Sequence, residues 1–436
     1  MKSRIPATKK YWLRNAHIPT CVVENLDEIN FAHQTREDLC LLDLEITEGK
    51  ISQIVPAGIT AISSPYLDLA KGIVFPCFVD MHTHLDKGHI WERSPNLEGT
   101  FATALTASQT DSRSHWQAED VYRRMDFGLQ CSYAHGTKAI RTHIDSFGKQ
   151  AQISFGVFEE LKAKWQDKLD LQAVSLVSID YFQTSQGVAL ADIITDMGSI
   201  MGGVVYMQTA LDEKLDTVFS LAKERNFNLD FHADENDDPN SRCLEAIAKA
   251  ALRNKFTGKI VCGHCCSLAV QPQEVVRETL KLVKEAGIAV VSLPMCNLFL
   301  QDRQPGTTPR WRGVTLVHEL RQQGIPVTFA SDNCRDPFYG FGDHDMLEVF
   351  TQAVRIAHLD TPYSDWCASF TKAAADLIEL PEVGRIGVGK TADLVLFKAR
   401  YFSELLSRSQ HDRIVLRNGK EIERKLPDYA ELDGVI

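Results

Sequence analysis

The sequence lacks any uninterrupted apolar stretch of the roughly 20 residues that a helix needs to cross a bilayer, so no membrane span is expected. It also lacks a basic excess. Lys and Arg number 47 against 58 Asp and Glu, a formal net charge of -11, whereas a nucleic-acid backbone is bound by clustered cations that release its counterions. Neither a nucleic-acid nor a membrane partner is therefore expected, and a small or uncharged substrate fits better. Nor is there an even cysteine framework. The 11 cysteines are scattered through predicted strands and helices, which reads as reduced thiols in a cytoplasmic chain. The cluster Cys262, Cys265, Cys266 has only His264 at hand as a further donor and reads as small core-filling side chains. The N-terminal stretch MKSRIPATKKYW is basic, but no apolar run of signal-peptide length follows it. Low-complexity linkers are absent too.

What is present is the composition of an ordinary folded chain, 44% apolar and 24% charged. From about residue 72, short apolar runs alternate with amphipathic stretches, the pattern of repeated βα units. Strands are predicted at 73–80, 139–145, 172–178, 203–207, 229–232, 260–264, 289–293 and 327–332, and helices at 120–130, 241–253, 274–286 and 316–323. Eight strands rich in Val, Ile, Leu and Phe suit a parallel sheet buried on both faces. The predicted fold class is α/β, a closed (β/α)8 TIM-like barrel over residues 72–380. Short strands at 41–46 and 50–55 meet at Glu48-Gly49, and others at 392–397 and 413–416 precede Asn418-Gly419, both hairpin signals. Segments 1–71 and 381–436 are thus expected to build one small β-sandwich domain.

His82 and His84 stand two apart at the end of the first predicted strand, where i and i+2 side chains share a face. A His-x-His pair alone is weak evidence, but the C-terminal ends of barrel strands are where barrel enzymes place their sites. Three further strand ends deliver His232 with Glu235, then His264, then Asp332. Any one of these could be a hydrogen-bonded core residue or a turn cap. Six polar groups aimed at one dry mouth would be costly to bury unless a cation or substrate used them.

The stretch Phe75-Pro76-Cys77-Phe78-Val79-Asp80-Met81-His82-Thr83-His84-Leu85-Asp86 resembles the first-strand motif of the amidohydrolase superfamily. His232-Ala233-Asp234-Glu235 is similar to the His-x-x-Glu motif of its deaminases, Gly263-His264 to their sixth-strand histidine and Ser331-Asp332 to their eighth-strand aspartate. Order and spacing resemble cytosine deaminase over residues 72–350. The stretch Gly384-Arg385-Ile386-Gly387-Val388-Gly389-Lys390-Thr391-Ala392-Asp393-Leu394-Val395 resembles the family's composite β-domain.

The resemblance implies one divalent metal ion, Fe(II) or Zn(II), on His82, His84, His232 and Asp332, and three imidazoles with one carboxylate suit such an ion. Binuclear relatives carry a lysine at the fourth strand end. Here that strand reads Gly203-Val204-Val205-Tyr206-Met207-Gln208, so a mononuclear site is expected. Glu235, His264 and Asp332 are then the proton-handling catalytic residues, and the implied reaction is hydrolytic deamination of cytosine, 5-methylcytosine or isocytosine with release of ammonia.

Substrate-reading residues follow by position. Ser178 holds the ungapped place of the family's third-strand glutamine, with Gln183 as the alternative on a longer loop. Asn333 replaces an acidic residue after the metal aspartate, and Phe338 stands where cytosine deaminase has tryptophan. Two other readings stay open at this point: hydrolysis of a substituted triazine or other cyclic C–N substrate, and a metal-free homologue serving as an interaction protein. A homo-oligomer is compatible with all of them.

Overall fold

The structure is a computed structural model that describes residues 5–29, 34–59 and 64–435, so Met1–Arg4 of the basic N-terminal stretch lie outside the described residues. The chain divides into two compact units. One comprises Met1–Asp80, Gln130–Ala139 and Asp345–Pro427, and the other Met81–Leu129, Ile140–His344 and Asp428–Ile436.

The larger unit is built on parallel strands. Met201–Val205, Leu229–Ala233, Ile260–His264, Ile288–Ser292 and Val327–Phe329 form a five-stranded parallel sheet in chain order. A three-stranded sheet carries Phe78–Thr83, Thr137–Asp145 and Asp170–Leu176 in that order. Parallel bridges Val174–Ile200 and Ser178–Val204 link the third strand to the fourth, and Thr83–Asp332 links the first to the segment after the eighth. Strands Leu229–Ala233, Ile260–His264 and Ile288–Ser292 are buried end to end, as all-apolar runs such as Ile260-Val261-Cys262 require. In the fourth strand a Cβ on Gly202 would stand 2.4 Å from the carbonyl oxygen of Asp230, so only glycine permits the close backbone approach there. Helices Cys243–Arg253 and Gln273–Glu285 each bury one apolar stripe, Leu244, Ile247, Ala248 and Ala251 in the first of them. No helix among the described residues is long and apolar enough to cross a membrane.

One predicted strand proves to be two. The run at 73–80 divides into Val74–Pro76, antiparallel to Leu394–Leu396, and Phe78–Thr83, with the Cys77 amide donating to the Asp393 carbonyl at 2.9 Å. A continuous apolar run marks burial but not a change of partner, which is why composition merged them. The predicted eighth strand also ends early, at Phe329, where its pairing with the seventh strand stops at Ser292.

The smaller unit carries two four-stranded sheets. Lys50–Pro56, Leu39–Thr47, Lys10–Pro19 and Tyr66–Asp68 form one, and Lys420–Glu421, Ile414–Arg417, Leu394–Leu396 and Val74–Pro76 the other. Both hairpin signals hold: Glu48-Gly49 and Asn418-Gly419 each place two successive residues at positive φ, as a two-residue I′ turn requires. Residues of both sheets, among them Leu13, Leu44, Val74, Leu394 and Leu416, share one apolar core. Asp345 caps helix Met346–Ala357 through the Leu347 amide and takes both Arg413 nitrogens at 2.7 and 2.6 Å.

Candidate metal centre and active site

Four side chains from two strands and the loop after a third meet in the larger unit. His82 and His84 come from the first strand and His232 from the fifth. Asp332 is tied to the first by its amide, which donates to the His82 carbonyl at 2.9 Å, while the Thr83 hydroxyl donates to the Asp332 carbonyl at 2.8 Å. The Nε2 atoms of His82 and His232 stand 3.1 Å apart and those of His232 and His84 3.3 Å. Asp332 Oδ1 lies 3.2 Å from His84 Nε2 and 3.7 Å from His82 Nε2. A tetrahedral ion with bonds of about 2.0–2.1 Å holds its donors about 3.3–3.4 Å apart, so these donors fit one such ion. Burial, reinforced by neighbouring imidazoles and by Lys87 for two of them, holds all three histidines well below the usual range. They are therefore neutral, the form that ligates a metal.

Beside this tetrad lies the pair Glu235 and His264, with His264 Nδ1 3.3 Å from Glu235 Oε1. Asn297 Nδ2 donates to His264 Nδ1 at 3.0 Å and stands 3.4 Å from Glu235 Oε1. With Nδ1 accepting, the ring proton of His264 sits on Nε2. Burial, together with the nearby Asp332 charge, pushes the Glu235 carboxyl well above its usual range, which favours its acid form. Burial, with His143 beside it, takes His264 down to about 3. Asp234, His264 and Asp332 all have positive φ, at 54°, 69° and 64°, and such strained backbone gathers at functional sites.

A cavity of about 310 Å³ opens here, lined among others by His232, Glu235, Tyr206, Phe101, Gln301 and Arg303. The substrate-reading expectations fare unevenly. Phe338 packs edge-on at 5.6 Å behind Phe101, which lines the cavity. Asn333 gives its amide nitrogen to Asp336 at 2.7 Å. Ser178 bridges Val204, a lining residue, but turns its hydroxyl to Asp180. Gln183 is exposed at the end of the 3-10 helix Ile179–Gln183 and is not brought to the cavity; the loop after the third strand coils rather than lengthening inward.

Sequence reasoning missed two groups. Lys87 is buried, with Nζ 2.8 Å from Asp145 Oδ1 and 5.4 Å above the Phe338 ring. Burial would lower it, yet Asp145 and Asp86 hold it above the usual lysine range. His143 stacks on His82, ring centroids 3.9 Å apart, and reaches Asp230 Oδ1 at 3.3 Å. The signal was the polar run Arg141-Thr142-His143-Ile144-Asp145 in a strand buried on both faces.

Residues 157–420 match the Amidohydrolase family. Over 432 residues, 99% of this chain and 98% of the other, the sequence is 48% identical to the pterin deaminase of Rhizobium rhizogenes. The chain belongs to the amidohydrolase family. It is also 26% identical to the N-isopropylammelide isopropyl amidohydrolase of a Pseudomonas species, over 87% of this chain and 93% of that one. Its fold is similar to the crystal structure of 5-methylcytosine deaminase from Klebsiella pneumoniae liganded with 5-fluorocytosine, with a TM-score of 0.80 at 24% identity over 96% and 98% of the two chains. Members of the family use a divalent metal ion, and the His/Asp groups described here could bind one.

Proposed function

We propose that this amidohydrolase is a metal-dependent hydrolytic deaminase acting on a pterin, converting the 2-amino-4-oxopteridine to its 2,4-dioxo product with release of ammonia. Glu235 carries the reaction class: a carboxyl pushed towards its acid form at the cavity, paired with His264 and beside the donor tetrad. The near-full-length likeness to a pterin deaminase supports the ring. The amino-bearing ring of a pterin is an isocytosine, so the proposal narrows the cytosine-like expectation and moves it from a monocycle to a fused bicycle. The same reading takes the eight strands as a closed barrel, which the Thr83–Asp332 bridge supports, and the two four-stranded sheets as the accompanying β-sandwich.

In this mechanism His82, His84, His232 and Asp332 hold one divalent ion. When bound, that ion supplies Lewis acidity, which makes a water molecule acidic enough to attack near neutral pH. Asp332 takes the proton released as the water oxygen bonds to the ring carbon bearing the amine. Glu235 donates its proton to the adjacent ring nitrogen, where charge develops, and the Nε2–H of His264 is the neighbouring donor that can support the new oxygen. Asp332 then returns its proton to the amine, the hydroxyl of the tetrahedral adduct gives its remaining proton back to Glu235 as the carbonyl forms, the carbon–nitrogen bond breaks and ammonia leaves, so the product keeps the ring-nitrogen proton of its lactam form and both carboxyl groups are restored. Asn297 fixes the tautomer of His264 throughout.

The test is ammonia release from pterin, isocytosine, cytosine, 5-methylcytosine and an aminated triazine by protein loaded with Zn(II), Fe(II) or Mn(II). Pterin is expected to be turned over fastest. Ammonia from the triazine or from cytosine alone, with none from pterin, would overturn the assigned ring, and no ammonia from any of them would overturn the deaminase reading.

A further inference from the structure

A second cluster of metal-ligand side chains lies in the larger unit, apart from the tetrad. His89, Cys334 and His344 each offer one donor atom, and the three atoms lie within 4.8 Å of one another. All three side chains are buried, with exposures of 1%, 2% and 2%. Neither ring nitrogen of His89 has a hydrogen-bond partner among the described residues. A buried imidazole in that condition forfeits the full desolvation cost of two polar atoms unless something else coordinates them.

The surroundings are built rather than incidental. The His89 amide donates to the Cys334 carbonyl at 3.1 Å, and the amides of Ile90 and Trp91 both donate to the Arg335 carbonyl at 2.9 Å. The turn carrying His89 is thereby locked to the loop carrying Cys334. His89 and His344 both sit at positive φ, 61° and 52°. Their rings are 5.4 Å apart and tilted at 51°, so they do not stack on each other. Gly128 lies against His344: a Cβ there would come within 2.9 Å of Nε2, so the cradle needs glycine. Burial, together with His344, Arg335 and Arg124, holds His89 neutral, the ligating form. The two arginine charges are matched elsewhere, Arg124 by Asp120 and Arg335 by Glu92.

We propose that His89, Cys334 and His344 form a second, structural metal site that takes Zn(II). Two imidazoles and one thiolate suit this borderline-soft ion, with bonds of about 2.0–2.1 Å to nitrogen and about 2.3 Å to sulfur, and a water completes the tetrahedron. On binding, the Cys334 thiol gives up its proton to solvent and the thiolate becomes a ligand. Such an ion staples the turn after His84 to the loop after Asp332, and those two segments also hold Lys87 and Asn333. Unlike the tetrad, this site contains sulfur, which gives the two sites different optical signatures.

Full-length protein stripped with a chelator and titrated with Co(II) separates them. The wild type is expected to bind two equivalents per chain and to develop the near-ultraviolet thiolate-to-cobalt charge-transfer band. Cys334→Ser and, independently, His89→Gln should each lose one equivalent and that band, while circular dichroism confirms that both variants fold. A His82→Ala, His84→Ala double variant should lose the other equivalent and keep the band. Cobalt-loaded wild type without the band, or a band that survives in Cys334→Ser, would overturn the second site. A wild type that binds a single equivalent and shows the band would count against the proposed catalytic metal and leave this site standing.

Discussion

Two largely buried carboxylates, one in each unit, have opposite surroundings. Asp345 meets Arg413 through both carboxylate oxygens, lies 3.5 Å from His135 and accepts a helix-capping amide. Burial would raise it, but Arg413 and His135 outweigh that and hold it below the usual range. Glu235 has no cation of its own in hydrogen-bond reach; burial and Asp332 push it up. The difference teaches what each is for. A carboxylate with a bidentate guanidinium holds a fold together, whereas one pushed towards its acid form beside a cavity suits the proton donor proposed above.

The largest expected effect lies at the tetrad. Replacing His82 and His84 together by Ala should remove the catalytic metal equivalent and take ammonia release below detection, read by elemental analysis alongside the coupled assay. Next comes Glu235→Gln, expected to cut kcat by about 10²–10⁴-fold, the usual worth of general acid catalysis, while Tm stays level or rises. Because the acid form is the working form, kcat/KM should fall as pH rises through the elevated Glu235 value. A wild-type rate in this variant would make Glu235 merely a wall residue and erase the contrast with Asp345.

The mirror-image change, Asp345→Ala, should cost about 3–5 kcal/mol, because it strands a buried guanidinium, and calorimetry of the variant against the wild type measures it. The sign of the pH dependence is fixed by the direction of the shift. Asp345 sits below its unfolded value, so its stabilisation is present above the ordinary carboxyl range and is lost as pH falls through the depressed value. In the variant that acid-side loss should shrink.

The smallest expected effect is at Asn333. Asn333→Asp sets a carboxylate against Asp336, whose own value burial already lifts to about 6. Selectivity between pterin and cytosine is expected to move by about tenfold, roughly 1.4 kcal/mol, the scale of one hydrogen bond. Parallel kinetics on both rings check it, and an unchanged ratio would assign selectivity to other cavity residues such as Tyr206 or Arg303.

The parallel-strand architecture and the six residues at its strand ends were legible because apolar runs and isolated titratable groups are strong local signals. His82, His84, His232, Glu235, His264 and Asp332 needed no knowledge of side-chain packing to find. Their neighbours did. Lys87 reads as a surface lysine until Asp145 and Phe338 enclose it, and His143 reads as one polar residue among several until His82 stacks on it. Gln183 illustrates the converse: the longer loop that would bring it inward could not be told, in sequence, from the 3-10 turn that leaves it exposed. The division of the 73–80 run was invisible for a related reason, since pairing partners lie hundreds of residues away.

The left-handed backbone at Asp234, His264 and Asp332 also limits how this enzyme can be re-engineered. Asp and His belong to the few side chains that enter that conformation readily, whereas β-branched residues there are true outliers. Random libraries at these positions would therefore be dominated by misfolded clones. Even Asn or Gly, which would tolerate that backbone, would remove the proposed metal ligand at Asp332 or proton donor at His264, so selectivity is better sought at neighbouring cavity positions of ordinary backbone.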